Sequence, residues 1–180
     1  ASAGLRAFAD ALGPNDVDAA RYRSAADALA NAIAANLVDA NHVLAGDKAE
    51  LDAGFGYFDA AAVEAFNKDV IADASVVNAT LNAMTALQSS TTPGYYRNDE
   101  GGTYDNSEWL VIDLWLSRAF RRAGNVDEAD RLLAHVTSVG DANLGEIPEL
   151  LRTDATLGPV GDADGAIPMM GFGAGAFIEA

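Results

Sequence analysis

Cysteine is absent from the 180 residues, which rules out disulfides and a thiol nucleophile. Lysine is scarce: Lys48 and Lys68 stand against nine arginines. With 27 acidic residues against 11 basic ones the formal charge is −16, a sign that repels nucleic-acid phosphates. No apolar run approaches the ~20 residues of a membrane span, and no charged-then-apolar leader opens the chain. Period-two alternation is missing over any convincing length, so helices are expected rather than sheets. Residue 1 is not Met and begins mid-pattern, so processing or truncation upstream is expected.

What is present is a core. Half the residues are hydrophobic, and a chain of this length forms about one globular domain. The aspartates are scattered along the chain rather than gathered in a tail. An acid-rich, lysine-poor surface over an ordinary core suits solubility in high salt, where self-repulsion is screened. A halophilic source is therefore expected, with the cytoplasm favoured over an extracellular setting.

Six helical segments are readable, and the expected fold class is all-α. Asn15-Asp16 caps the first, whose Tyr22, Ala26, Leu29, Ile33 and Leu37 step by threes and fours. Asp59 caps a shorter one through Val63 and Phe66, and Asp73 opens a third through Val77, Leu81, Met84 and Leu87. A fourth runs from Ser107 with Trp109, Ile112, Leu116 and Phe120 on one face, stopped by Gly124-Asn125. The fifth covers about 126–139, and the sixth follows Pro168. Three long aperiodic connections, near 37–60, 88–106 and 140–168, alternate with helix pairs. Long connections of this kind are usually functional, and here they are expected to gather at one concave end of a ring of hairpins.

The segment YYRNDEGGTYDNSEW holds Tyr95, Tyr96, Arg97, Asp99, Tyr104 and Trp109. Aromatic rings offer an apolar face to the C–H side of a sugar, and Arg, Asp and Asn bond its hydroxyls directionally. A plain surface loop with Trp109 in the core fits the same composition. Further on, LGEIPELLR places Glu146 and Glu149 around Ile147-Pro148. Pro148 suits a first helical position, so Glu149 is expected at a helix N-terminus, where the dipole keeps a carboxylate ionised. Such a group can deprotonate water, or it can simply complement the dipole of a surface helix.

The order of features, LDA at 51–53, Tyr-Arg-x-Asp, Thr-Tyr, a Trp opening LWLSRAFRRAGNVDEADRLL, then GEIPE, resembles the second half of the glucoamylase and glucodextranase family of glycoside hydrolases (family 15). The resemblance covers about residue 18 to the end and is most specific over 96–149. It implies half of an (α/α)6 toroid acting on α-glucans by inversion without a cofactor. It implies Glu149 as general base, Arg97, Asp99, Tyr96 and Tyr104 around the sugar, and Trp109 as a platform. Glu146 would face solvent. The family's general acid lies upstream of the first long helix, so the acid is expected outside this chain, in a missing N-terminal half or a partner polypeptide. Without it the isolated chain is expected to be inactive and to leave apolar helix faces uncovered. Leu150 stands where the family has Gln after the base, and Met169, Met170 and Phe172 where it has Trp or His, departures that count against a strict glucoamylase and leave the sugar and linkage open. The hairpin 109–139 also suits many helical repeats. A non-catalytic helical module that binds carbohydrate or another partner is thus the alternative.

Other signals carry less. GFGAGAF at 171–177 has no preceding strand and the wrong glycine spacing for a phosphate loop, and reads as a small-residue helix in close packing. GDADG at 161–165 lacks the closing Glu of a calcium loop. His42 and His135 have no partner pattern for a metal, and His135 is expected to be packed or solvent-facing on its helix.

Overall fold

A computed structural model describes residues 1–102, 105–165 and 172–180. Within them lie α1 (Ser2–Leu12), α2 (Val17–Leu37), α3 (Lys48–Ala53), α4 (Glu64–Asn67), α5 (Ala74–Met84), α6 (Leu110–Arg122), α7 (Val126–Ala142) and α8 (Phe172–Glu179). Tight 3-10 turns at Ala60–Val63 and Thr85–Leu87 lead into α4 and out of α5. Three two-residue strands, β1 (Glu108–Trp109), β2 (Leu150–Leu151) and β3 (Ala163–Asp164), form an antiparallel sheet in that order. The fold is mainly helical, as the missing alternation requires.

Caps set the helix starts. The Asp16 side chain accepts the Asp18 N–H, Asp73 accepts the Ser75 N–H, Asp59 accepts the Ala61 N–H, and Asn125 accepts the Glu128 N–H. Each satisfies one of the orphan donors of a first turn. Helices α6 and α7 then fold back on each other through the tight Gly124-Asn125 turn, with Gly124 at φ 87°. Their contact buries Leu110, Ile112, Leu114, Leu116, Leu132 and Val136 to 1% exposure or less. This hairpin is the centre of the core, against which Val63, Phe66, Met84 and Leu87 pack.

The structure departs from the sequence reading in several places. Helix α3 lies in a stretch expected to be irregular, and α1 in one with no expected element. The helix expected from Ser107 begins at Leu110, because Glu108 and Trp109 pair with β2 instead. Asp52, read as part of a loop, belongs to α3 and holds an exposed pair with Lys48. No helix follows Pro148: Leu150 and Leu151, both buried, pair with β1 on one side and β3 on the other. Proline already biases the residue before it towards extended backbone, and the two leucines complete a central strand. The dipole argument for Glu149 therefore falls. Finally, of the two settings expected for His135 the structure has the packed one, against a buried carboxylate, as shown below.

Candidate functional site

The segment 94–98 is laced into its surroundings by main-chain bonds. Ser89 N–H donates to Gly94 C=O (2.9 Å), Trp109 N–H to Tyr95 C=O (3.1 Å), Tyr96 N–H to Leu87 C=O (2.8 Å), and Ala60 N–H to Arg97 C=O (2.8 Å). Tyr96 also bridges Glu108, and Asn98 bridges Asp59. A stretch with no periodicity is thus given a fixed course by partners on three other segments.

That course delivers Arg97 to Trp109. The guanidinium carbon lies 5.6 Å from the ring centroid, in the range of a cation–π contact, and the guanidinium sits 3.8 Å from Asp59. Arg97 and Trp109 line one cavity of about 410 Å³ with Trp115, Glu64, Lys68 and Glu179. Two indoles beside two cations and two carboxylates are the mixture that sugar recognition uses. Lys68 bonds Glu179 at 2.7 Å, and Arg118 pairs with the same carboxylate, which holds it below the usual glutamate range, the Lys68 hydrogen bond contributing most.

The remaining sequence candidates are distributed around this cavity. Trp109 faces Leu150 across the β1–β2 pair, and the next amide, Leu110 N–H, donates to Glu149 C=O (3.4 Å). Glu149 is therefore anchored one strand position from the Trp109 platform. Its side chain lies over Gly165: a methyl group placed there would sit 2.6 Å from Glu149 Oε2. Gly165 has φ 70°, a conformation that side chains rarely adopt. Glu149 does not line the Arg97–Trp109 cavity. Tyr96 opens instead on a recess shared with Arg152 and Thr153. Asp99 lies apart, beside Tyr57 and Glu100, and accepts the Phe58 N–H at 3.2 Å. Tyr104 lies outside the described residues, as do Met169 and Met170. Glu146 is exposed, as expected. From Phe172 on, the Gly-rich segment belongs to α8, with Gly173 packed against Ile147, where an added methyl would lie 3.1 Å away.

One buried group escaped the sequence reading. His135 Nε2 lies 2.6 Å from Glu108 Oε1, and Glu108 and Asp113 are both completely buried beneath the segment 94–98. Its only signal was that Glu128, Arg131 and His135 fall on one face of α7, at the spacing of successive helical turns.

No family model and no curated protein sequence matches the chain. Solved structures do match it in fold. A glycosidase with a glutamate replaced by alanine, in complex with glucose, superposes with a TM-score of 0.76 at 17% identity, over 99% of this chain and 48% of that one. A wild-type glycosidase gives 0.73 at 18% identity, over 99% and 50%, and a tyrosine-to-phenylalanine glycosidase variant gives 0.73 at 17%, over the same shares. The chain shares the fold of part of these glycosidases and spans about half their length.

Proposed function

We propose that this chain is the base-bearing half of a glucoamylase-like glycoside hydrolase, an inverting enzyme of the (α/α)6 class from a high-salt source, acting on α-glucosidic bonds. The observation that carries the reading is the strand pairing that anchors Glu149 beside Trp109, itself stacked by Arg97. The matched fold supports it, since one of those glycosidases was captured with glucose.

In this reading the Glu149 carboxylate takes a proton from a water molecule as its oxygen attacks the anomeric carbon. A carboxylic acid from the complementary half protonates the leaving oxygen. Inversion requires the two groups to be ~6.5–9.5 Å apart, leaving room for the water. Arg97 bonds sugar hydroxyls and Trp109 gives the ring its apolar floor, with Asp99 as a further hydroxyl partner and Tyr104 as a second platform on the pattern of the resemblance.

The test is glucose release from short α-1,4- and α-1,6-glucans in molar salt, by the longest polypeptide that carries this chain. Glu149→Gln should lower kcat by ~10²–10⁴-fold, the contribution of a positioned base. Equal rates for both forms would remove Glu149 from the mechanism. A second reading, a non-catalytic sugar-binding module, is favoured by one observation: Glu149 does not line the cavity of Arg97 and Trp109. It expects glucose binding by both forms and hydrolysis by neither.

A further inference from the structure

We propose that Glu108, Asp113 and His135 form a buried carboxyl–imidazole clamp that positions Arg97 against Trp109. The three side chains come from β1, α6 and α7, and their ligating atoms all lie within 4.8 Å of one another. Above them runs the segment that ends in Arg97. Gly94 N–H donates to Glu108 Oε2 (3.1 Å) and Tyr95 N–H donates to Asp113 Oδ1 (2.9 Å). The imidazole of His135 donates to the remaining Glu108 oxygen. Gly94 lies so close that a methyl group on it would collide with Asp113 Oδ2 and sit 2.6 Å from Glu108 Cδ. Only glycine lets the main chain reach both carboxyls.

Asp113 Oδ2 is buried and meets no donor among the described residues. It faces the Glu108 carboxyl, and the contact is satisfied when Asp113 carries a proton and donates it. Burial, reinforced by the neighbouring Glu108, raises Asp113 well above the usual aspartate range. Burial pushes Glu108 the same way, but the hydrogen bonds from His135 and Thr92 overcome it and hold Glu108 low. The pair thus divides into one acid and one carboxylate. On α7, Arg131 reaches Pro93 C=O (2.6 Å) and pairs with Glu128, which in turn accepts the Tyr95 hydroxyl (2.8 Å). Tyr95 itself is raised, chiefly by burial, and stays a donor. Every titratable group facing the clamp therefore helps hold residues 93–95 in place. A metal ion fits this donor set poorly, because three of the four carboxylate oxygens already accept N–H groups.

The pH signature follows from the two directions. The contribution of Glu108, whose folded value is lowered, is present above the ordinary glutamate range and lost as pH falls. The contribution of Asp113, whose folded value is raised, is present below the ordinary aspartate range and lost as pH rises towards that value. Asp113→Asn keeps a donor towards Glu108 and an acceptor for Tyr95 N–H without titrating.

The deciding experiment is hydrogen exchange at the Gly94 and Tyr95 amides against pH, with glucose affinity measured alongside. In the wild type these amides should be protected, less so as pH rises. Asp113→Asn should keep the protection to within about twofold and lose the pH slope, while Asp113→Ala loses about tenfold, equivalent to ~1.4 kcal/mol, with the α6–α7 amides unaffected. Glucose affinity should fall in parallel for Asp113→Ala and recover in Asp113→Asn. Unchanged protection or affinity in Asp113→Ala overturns the clamp, as does an equal loss at every amide. Stoichiometric zinc binding that Asp113→Asn abolishes would also overturn it, in favour of a metal site. The proposal builds on the sugar-site reading, yet the two fail differently: a wild type that binds no sugar ends that reading, while the exchange data still decide the clamp.

Discussion

Two helical hairpins of similar outline are built on opposite plans. In α6–α7 the 13-residue α6 buries nine of its residues, mostly Leu, Val, Ile and Phe. In α1–α2 the 21-residue α2 buries three, all of them alanines, and leaves Leu29 40% and Val17 90% exposed. Nine of its residues are alanine, the best helix former, so local propensity sustains it where packing does not. The contacts between α1 and α2 include an edge-on Phe8–Tyr22 contact, bonds from Ser2 Oγ to Ala26 C=O and from Arg23 to Ala9 C=O, and two exposed ion pairs, Arg6–Asp27 and Arg23–Asp10. Exposed pairs of that kind contribute about 1 kcal/mol at most. Helix length therefore says little about where stability resides; burial of branched side chains says most.

Substitutions should separate the two hairpins by size of effect. Leu116→Ala, at a fully buried site of α6, should cost ~3 kcal/mol through lost burial and the cavity left behind, read as a lower denaturation midpoint at constant m. Gly94→Ala, which drives a methyl into Glu108 and Asp113, should cost ~2 kcal/mol by overpacking, and a Gly94→Ala, Asp113→Ala double variant that loses less than the sum of the two single variants would show that the collision with Asp113 contributes to the cost. Asp16→Ala removes the cap of α2 and should cost ~1 kcal/mol. Leu29→Ala, on the exposed face of the same helix, should change stability by less than ~0.5 kcal/mol. A Leu29 effect as large as that of Leu116 would mean that the α2 face is covered in solution.

The same contrast explains what could be read from the chain. Long periodic helices with side-chain caps were legible: Asp16, Asp73 and Asn125 mark their starts, and the apolar stripe of α6 marks its face. Helix α1 was not, since Ala1 stands at its N-cap and no side chain bonds there. Helix α3 is six residues long, too short for a period, and rests on its Asp47 cap. Strands of two residues cannot alternate, so β2 was mistaken for a helix start and Glu149 was given the wrong local setting. Arg97 and Trp109, two of the six residues singled out together over 95–109, line one cavity, whereas Asp99, two residues beyond Arg97, is carried away by the turn that bonds it to Phe58. The clamp was invisible because its members come from three elements, and polar residues in a sequence are by default assigned to the surface.

The lacing of residues 94–98 has a consequence for the order of folding. Its amides and carbonyls bond to Leu87, Ser89, Ala60, Trp109, Glu108 and Asp113, groups that lie on separate stretches of chain. Each must be in position before the segment can settle, whereas α6 and α7 need only close the short turn at Gly124-Asn125. Loop closure over longer separations costs more entropy. The hairpin can therefore form as a template, and the bond that spans the most chain, from Ala60 N–H to Arg97 C=O, is the one expected to close the seam.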